Sequence, residues 1–216
     1  ISPLRAESEV IGPVGASVIT DIDDTVKVTC VGKRIEMLNN TFVHPFRPVN
    51  GMPAAYRRWG EAGAAFHYVS SSPWQLYKPL VEFLDEQGLP RGSFHLRTLQ
   101  LQGPSLLRQL TGGKRSKKKA IRNILAWYPG RQFVLVGDAG EKDPEIYGSI
   151  ARRHPVQVAA IFIRRVENAN LSPLRFEKAF RGLPDHMGRL FDDPAELGEM
   201  HPVQQEGLIR WKPAGA

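Results

Sequence analysis

The sequence is poor in cysteine and has no long hydrophobic run. Cys30 is the only cysteine among the 216 residues, so neither an internal disulfide nor a zinc site built from several cysteines can form. We interpret Cys30 as a small buried apolar residue and expect a reducing, cytoplasmic setting. No stretch of about 18 uncharged apolar residues occurs, so no transmembrane helix is predicted. Peripheral association with a membrane stays open.

Basic residues outnumber acidic ones, with 29 Lys and Arg against 22 Asp and Glu and a formal net charge of +7 at pH 7. Such a charge favours anionic partners, which include phosphorylated metabolites, acidic lipid surfaces and nucleic acid. No stacking motif typical of nucleic-acid binding is present, so we do not predict the last of these. The length suits one well-buried domain, and the composition is that of a globular protein.

Short apolar runs rich in β-branched residues alternate with amphipathic helical patterns. The predicted strands are 17–20, 65–69, 93–96, 133–136 and 156–162. The predicted helices are 53–62, one that begins near Pro79, 117–128, and a short one at 194–200 with Asp193 as its cap. This alternation indicates an α/β fold with a parallel sheet covered by helices on both faces. We assign residues 1–15 to a lead-in or linker and residues 16–216 to a single domain.

Polar side chains follow three of the predicted strands, at the point where each strand ends. Acids follow the first strand, serines the second, and a glycine with further acids the strand at 133–136: Asp21, Asp23 and Asp24; Ser70, Ser71 and Ser72; Gly137, Asp138, Glu141 and Asp143. In an open parallel sheet, ligands bind beyond the carboxyl ends of the strands. The sequence therefore predicts that these groups meet at one edge of the sheet.

The acids of this edge point to a metal ion. Three carboxylates within four residues repel one another, and a bound divalent cation removes that repulsion. Mg²⁺ prefers oxygen ligands, typically one or two carboxylates together with waters and a substrate phosphate. Asp21 and Asp138 come from two different strand ends and are expected to share one ion. Residues 21–25 taken alone are also compatible with a polar turn and an Asp helix cap.

Three lysines open the helix predicted at residue 117. Cations at a helix N-terminus oppose the macrodipole, which indicates an anion nearby. Lys117 lies one turn before Ile121 and close to the apolar stripe of this helix, so we expect it to reach the site. Lys119 falls nearly opposite and is predicted to be exposed. Lys118 is at the margin and becomes the alternative if the helix register differs.

Ser70 directly follows the second predicted strand, where its hydroxyl can donate to a phosphate oxygen. No Gly-x-Ser-x-Gly elbow surrounds Ser70, so a Ser-His-Asp hydrolase is not predicted. His44, His67 and His95 are scattered along the chain, and we interpret each of them as structural.

Together these segments resemble the haloacid-dehalogenase (HAD) phosphatase superfamily. Its motifs, in order, are Asp-x-Asp-x-Thr, a Ser or Thr, a Lys and Gly-Asp-x-x-x-x-Asp, which stand here at 21–25, 70, 117 and 137–143. A narrower similarity, carried by residues 21–29, 68–76 and 136–147, is to the catalytic domain of the actin-patch-associated, Mg²⁺-dependent phosphatidate phosphatase family. Ser71 stands where Asn is expected and Ala139 where Ser is expected, which changes hydrogen bonding around the site and leaves its core intact.

The resemblance implies a three-layer Rossmann-like fold with a small flap at 26–32 and no large cap domain. It also implies hydrolysis in two steps, in which Asp21 attacks phosphorus to form an aspartyl-phosphate. Asp23 would protonate the leaving alkoxide and then activate water. Asp24 would be peripheral.

The resemblance gives the other site residues three kinds of role. Phosphate would be held by Ser70, Ser71 and Lys117. Mg²⁺ would be held by Asp21, Asp138 and the backbone carbonyl of Asp23. Supporting roles would fall to Asp143, Thr25 and Glu141.

The resemblance implies phosphatidate as the substrate, presented at an acidic membrane surface. Residues 101–119 interleave apolar and basic side chains and are the candidate lipid-facing region. A soluble phosphomonoester or a phosphoprotein is an alternative substrate. A non-catalytic module that binds anions or acidic lipid, or that accepts a phosphoryl group, is an alternative of another class. Asp23 favours turnover, because a phospho-acceptor needs no acid for a leaving group.

Overall fold

The computed structural model of the chain describes residues 10–28, 46–98, 113–202 and 209–212. The strands are β1 (Val14–Thr20), β2 (Ala65–Pro73), β3 (Gly92–Arg97), β4 (Gly130–Asp138), β5 (Val158–Arg164), β6 (Gly188–Phe191), β7 (Glu199–Pro202) and β8 (Ile209–Lys212). The α-helices are α1 (Met52–Glu61), α2 (Tyr77–Glu86), α3 (Gly113–Trp127), α4 (Asp143–Ala151) and α5 (Pro173–Phe180). Short 3₁₀ helices span Trp74–Leu76 and Pro194–Leu197.

Some sequence predictions fall on other parts of the chain. Cys30, His44, residues 1–9 of the lead-in, residues 29–32 of the flap and residues 101–112 of the candidate lipid-facing region lie outside the described residues. The base of the flap is described. There Val28 N donates to Arg47 O at 2.8 Å, and Val49 N donates to Val26 O at 2.8 Å, so two short segments pair where the chain leaves the core.

Six strands form one parallel sheet in the order β3-β2-β1-β4-β5-β6. Strand β1 lies in the interior of the sheet and pairs with β2 on one side and with β4 on the other. The order of strands reverses here, and such a switch point is where open α/β sheets bind ligands. Asp21 directly follows β1, and Asp138 is the last residue of β4. The topology therefore brings these two acids side by side.

Helices cover both faces of the sheet, as the alternating pattern predicted. Helices α1 and α2 pack on one face, where buried strand residues such as Val18 and Phe66 meet Tyr56 and Trp59. Helices α3, α4 and α5 pack on the other face, in the core that contains Ile19. The architecture is thus α/β with three layers. In the described parts of the chain, no cap domain interrupts the core elements, and no helix is both long and apolar enough to cross a membrane.

Apolar spacing explains how the helices orient their polar residues. Helix α1 buries four side chains at i, i+3, i+4 and i+7, namely Met52, Ala55, Tyr56 and Trp59. Helix α3 buries Ile121, Ile124 and Leu125 in the same manner. Lys117 lies one helical turn before Ile121, so the buried stripe of α3 carries its side chain towards the sheet. Lys117 is 3% exposed, whereas Lys119 is exposed, as predicted.

Several element boundaries differ from the sequence prediction, and three of them bear on the site. Strand β1 begins at Val14, inside the predicted lead-in, because Val14 and Gly15 pair with the start of β4. Strand β2 extends to Pro73, which pairs with Arg97 after a shift of register, so the serines at 70–72 lie inside the strand and not after it. Helix α3 begins at Gly113, so the three lysines lie in its second turn. The macrodipole argument for an anion at residue 117 was therefore wrong.

The C-terminal part, which the sequence left largely unassigned, adds α5, β6 and a β7–β8 pair. Asp193 caps the short helix at 194–197, where its side chain accepts from Ala195 N at 2.9 Å, so the predicted cap is confirmed. The helix does not reach residue 200 as predicted. Gly198, with φ of 70°, follows Leu197, and β7 begins at Glu199.

Candidate active site

Asp21 lies at the switch point of the sheet. Its backbone N–H donates to Val136 O at 2.9 Å, which extends the β1–β4 ladder by one residue. Its side chain is 1% exposed, and Asp21 Oδ1 lies 2.8 Å from Lys117 Nζ. Within the described structure, neither carboxylate oxygen accepts a hydrogen bond of good geometry. A buried carboxylate with both oxygens unsatisfied is costly unless a ligand completes it.

The charge around Asp21 makes its ionised form still more costly. Burial raises the pKa of Asp21 well above its ordinary value. Lys117 opposes this shift, but the carboxylates of Asp143, Glu141 and Asp138 reinforce it. Asp21 thus needs more positive charge than one lysine supplies.

Asp138 closes a tight turn with one of its two carboxylate oxygens. Its Oδ1 accepts from Gly140 N at 2.7 Å and from Glu141 N at 3.0 Å. Its Oδ2 is buried and has no hydrogen-bond partner among the described residues. Burial, with Asp143 next in importance, raises the pKa of Asp138 to about 7.

Lys117 joins the acids of the two strand ends. Lys117 Nζ lies 2.5 Å from Asp143 Oδ1 and 3.8 Å from Glu141 Oε2, in addition to its contact with Asp21. Burial disfavours the ammonium, but the carboxylates of Asp143 and Asp21 outweigh it and raise the pKa of Lys117 well above its ordinary value. The lysine is therefore held charged in the interior.

The acidic cluster fits a divalent metal ion. Asp21, Asp138 and Asp143 each offer one carboxylate oxygen, and these three oxygens lie within 4.8 Å of one another. If all four nearby acids including Glu141 are ionised, Lys117 leaves a local charge of −3. A set of oxygen ligands with unsatisfied carboxylate atoms suits a hard cation such as Mg²⁺. The structure brings Asp143 into this cluster, whereas the sequence interpretation assigned Asp143 only a supporting role.

Asp23 belongs to a second set of contacts. Its Oδ1 lies 2.8 Å from Lys27 Nζ, and its Oδ2 accepts from Ser70 Oγ at 3.0 Å and from Ser72 Oγ at 2.7 Å. Burial alone would raise the pKa of Asp23, but Lys27 and the two hydroxyls hold it well below its ordinary value. The side chain of Asp23 is thus a carboxylate in this arrangement, with its charge balanced by a lysine of its own.

Strand periodicity explains which serines contact Asp23. Side chains alternate between the two faces of a strand, so Ser70 and Ser72 point to the same face. Ser71 lies between them and is half-buried. The sequence interpretation ended the strand at residue 69, and the family resemblance placed Ser71, not Ser72, among the phosphate-binding residues. The serine hydroxyls that donate to Asp23 are those of Ser70 and Ser72.

Lys27 is a further site residue that the sequence interpretation missed. Its side chain is buried, with its ammonium 2.8 Å from Asp23 and 4.5 Å from the centre of the Phe46 ring. A signal was present in the sequence, because Lys27 follows Asp23 by four residues within a segment whose neighbours Ile22 and Val26 are apolar.

The chain turns tightly at Asp24 and Thr25, directly after Asp23. Asp24 has φ of 53°, and its carbonyl accepts from Arg164 Nη1 at 2.8 Å. Thr25 Oγ1 is buried and has no hydrogen-bond partner in the described ranges. The carboxylate of Asp24 is not part of the acidic cluster. This turn directs Asp21 and Asp23 towards different partners although they are two residues apart.

Gly137→Ala is expected to displace Asp143. A Cβ at Gly137 would overlap Asp143 Oδ2 and lie 2.8 Å from both Asp143 Cβ and Cγ, so the whole carboxyl group would have to move. We expect a loss of stability of about 1–3 kcal/mol, typical of overpacking, together with weaker binding of divalent cations. Urea unfolding and metal titration measure both. Gly12→Ala is the matched control, because its Cβ would meet only Val14 O at 3.9 Å. Equal effects of the two changes would refute this packing argument.

Comparison with known proteins identifies relatives for most of the chain. Residues 16–165 match the family model described as phosphatidate phosphatase APP1, catalytic domain. The chain is 36% identical over 163 residues to phosphatidate phosphatase APP1 of Saccharomyces cerevisiae, a match that covers 74% of this chain and 27% of that protein. It is 34% identical over 172 residues to an uncharacterised protein of Schizosaccharomyces pombe, covering 77% of this chain and 28% of that protein. The chain therefore spans about a quarter of the length of these curated relatives.

A solved structure with a similar fold is a protein from Mesorhizobium loti described as a HAD-like phosphatase. The TM-score is 0.51 at 14% sequence identity, over 74% of this chain and 77% of that chain. At this identity the similarity concerns the fold alone, and it confirms the predicted HAD-like α/β architecture.

Proposed function

The chain belongs to the family of the phosphatidate phosphatase APP1 catalytic domain, and from this premise we propose that it hydrolyses a phosphate monoester with the help of Mg²⁺. One observation carries the proposal. The carboxylate of Asp21 is buried at the switch point of the sheet, beside a charged lysine and an acidic cluster, and its oxygens accept no hydrogen bond from the described residues. Such a group is placed to react with an electrophilic phosphorus that a cation holds nearby.

In the proposed reaction, a carboxylate oxygen of Asp21 attacks phosphorus. The bond between phosphorus and the ester oxygen breaks, and the alkoxide leaves with a proton from Asp23. Water then attacks the aspartyl-phosphate, Asp23 accepts a proton from that water, and phosphate departs from a regenerated Asp21. Asp21 must be ionised to attack. Lys117 at 2.8 Å favours the ionised form but does not outweigh burial, so a bound cation would have to supply further positive charge.

Before the reaction starts, Asp23 is a carboxylate, because Lys27 and the serine hydroxyls hold its pKa low. That form suits the second step, in which Asp23 accepts a proton. The first step requires a protonated Asp23. An incoming phosphate group brings negative charge, which raises the pKa of a neighbouring carboxylate in the required direction.

The remaining site residues bind the phosphate group and the cation. Ser70, Ser71 and Lys117 would donate to phosphoryl oxygens as negative charge accumulates on them. Asp21, Asp138 and Asp143 would hold Mg²⁺, with the Asp23 carbonyl as a further ligand and with Glu141 and Thr25 in support. When bound there, Mg²⁺ neutralises the charge of the phosphate group and orients it for in-line attack.

We propose phosphatidate as the substrate, reached by peripheral contact of the protein with an acidic membrane on the cytoplasmic side. The name of the yeast relative and the net charge of +7 support this choice. Phosphate release from vesicles that contain phosphatidate, compared with soluble esters such as sugar phosphates, tests it. Hydrolysis of sugar phosphates without hydrolysis of phosphatidate would reject the lipid substrate. Absence of hydrolysis across a broad panel with Mg²⁺ would favour the non-catalytic binding module.

Binding of Mg²⁺ is expected to weaken as the pH falls below about 7. The pKa of Asp138 is raised from 3.8 to about 7, so between these values the folded metal-free protein holds a proton that the unfolded chain has released. The folding stability that this proton confers is lost as the pH rises towards about 7. Below about pH 7, a cation that binds Asp138 must first displace this proton. We expect the apparent affinity to fall about tenfold per pH unit for each displaced proton. Isothermal titration calorimetry at three pH values measures this, and a constant affinity would contradict it.

A further inference from the structure

Arg175 connects helix α5 to the acidic turn of the site. It lies in the first turn of α5, beyond residue 165 where the family match ends. Its Nη1 donates to Ala139 O at 2.6 Å, and its Nη2 donates to Glu141 O at 2.5 Å. Its Nε and Nη2 donate to the two carboxylate oxygens of Glu145 at 3.0 and 3.2 Å. A further bond from Nη1 reaches Asn170 O at 3.0 Å.

Arg175 and Asp138 bind the same turn through different backbone groups. The backbone N–H groups of Gly140 and Glu141 donate to Asp138 Oδ1, while the carbonyls of Ala139 and Glu141 accept from Arg175. The turn is thus fixed both through its N–H groups and through its carbonyls. Its geometry sets the separation between Asp138, which precedes it, and Asp143, which follows it.

Glu145 extends this connection to helix α4. Asp143 and Glu145 both lie in the first turn of α4, so the ion pair between Glu145 and Arg175 fixes the start of the helix that carries Asp143. The side chain of Arg175 is 10% exposed and that of Glu145 is 38% exposed, so the guanidinium is largely shielded from water while the carboxylate is partly open to it. Only the planar guanidinium offers donors in the fork that reaches two carbonyls and a carboxylate together, and a lysine cannot reproduce it.

We propose that Arg175 is a positioning residue for the divalent metal site, and that it acts by fixing the turn between Asp138 and Asp143. Helix α5, which lies beyond the end of the family match at residue 165, would then contribute to the metal site through the side chain of Arg175. The inference rests on the proposed function, because it requires that Asp21, Asp138 and Asp143 bind a cation. Residues around metal ligands usually change metal affinity by about 10- to 100-fold when they are replaced.

Calorimetric titration of the metal-free 216-residue chain with Mg²⁺ tests the proposal. Arg175→Met and Arg175→Lys are both expected to bind Mg²⁺ about 10- to 100-fold more weakly than the wild type. In assays with p-nitrophenyl phosphate, the Mg²⁺ concentration for half-maximal activity should rise by the same factor, with kcat at saturating Mg²⁺ little changed. Glu145→Gln keeps the carbonyl bonds of Arg175 and removes only the charge of the ion pair, so it should weaken Mg²⁺ binding by a smaller factor than Arg175→Met does.

Arg152→Met is the matched control. Arg152 also joins α4 to α5, because its Nη1 donates to Ala179 O at 2.8 Å and to Arg181 O at 3.0 Å, but these contacts lie away from the acidic turn. We expect its affinity for Mg²⁺ to equal that of the wild type. An equal loss of affinity in Arg152→Met would overturn the proposal, since a general effect of helix packing would then account for both.

The outcomes separate this inference from the proposed function. A folded wild-type protein that binds no divalent cation would overturn both. A wild-type protein that binds Mg²⁺, together with a folded Arg175→Met protein that binds it equally well, would overturn the positioning role alone. If Arg175→Met does not fold, Arg175→Lys decides in the same way, because it keeps a positive charge opposite Glu145.

Discussion

Asp21→Asn is expected to abolish phosphate release, with a fall in kcat of at least about 10⁴-fold, because the amide cannot form the acyl-phosphate bond. The change should leave the fold intact. It removes one buried carboxylate from a cluster in which Asp138, Asp143 and Glu141 repel it, while Lys117 keeps its contact with Asp143. The melting temperature without metal should therefore equal or exceed that of the wild type, as often holds where function opposes stability.

Asp24→Asn is the control for this change. Asp24 is three residues from Asp21, has φ of 53°, which Asn tolerates, and its carboxylate lies outside the acidic cluster. We expect its activity to stay within about tenfold of the wild type, far above the loss expected at the nucleophile. Steady-state phosphate release on both variants, with circular dichroism to verify folding, gives the comparison. Full turnover by Asp21→Asn would remove Asp21 as the nucleophile.

Lys117→Met is expected to destabilise the metal-free protein by about 3–5 kcal/mol, because it leaves buried carboxylates without their cation. Lys117 contacts Asp21 at 2.8 Å and Asp143 at 2.5 Å, and all three side chains are almost fully buried. Added Mg²⁺ should recover part of the lost stability, since it supplies positive charge to the same cluster. Urea unfolding with and without Mg²⁺ measures both effects.

Lys119→Met separates this electrostatic effect from the general cost of replacing a lysine in α3. Lys119 is exposed on the same helix, two residues away, so the change should alter the free energy of unfolding by no more than about 0.5 kcal/mol. A loss of stability at Lys117 no larger than that at Lys119 would contradict the view that Lys117 balances the acidic cluster.

The sequence predicted the layers of the fold because each apolar pattern is local. The runs around Val18 and Val134 have the length and composition of buried parallel strands, and the spacing of Ile121, Ile124 and Leu125 defines one helix face. Because parallel strands end at a common edge, these patterns also predicted that Asp21 and Asp138 lie together. The same helix face identified Lys117 as the inward lysine, although the predicted start of the helix was wrong.

What the sequence did not predict depends on where elements end and on contacts between distant segments. The contact of Ser72 with Asp23 was not predicted, because the strand was expected to end at residue 69. Its continuation through Pro73 places Ser70 and Ser72 on the same face. Arg175 donates to carbonyls 34 and 36 residues earlier in the chain, and no local pattern encodes such a contact. The ion pair between Lys27 and Asp23 was not predicted, because it forms only when the segment between them turns back towards the core.

The central claim is that Asp21 accepts the phosphoryl group beside a divalent cation held by Asp138. The most direct measurement is a crystal structure of the protein with Mg²⁺ and trifluoroberyllate, a mimic of a phosphoryl group on a carboxylate. We predict beryllium bonded to an Asp21 oxygen, Mg²⁺ in contact with Asp21 and Asp138, and fluorides near Ser70 and Lys117. Beryllium bound to another side chain, or Mg²⁺ away from Asp138, would contradict the account.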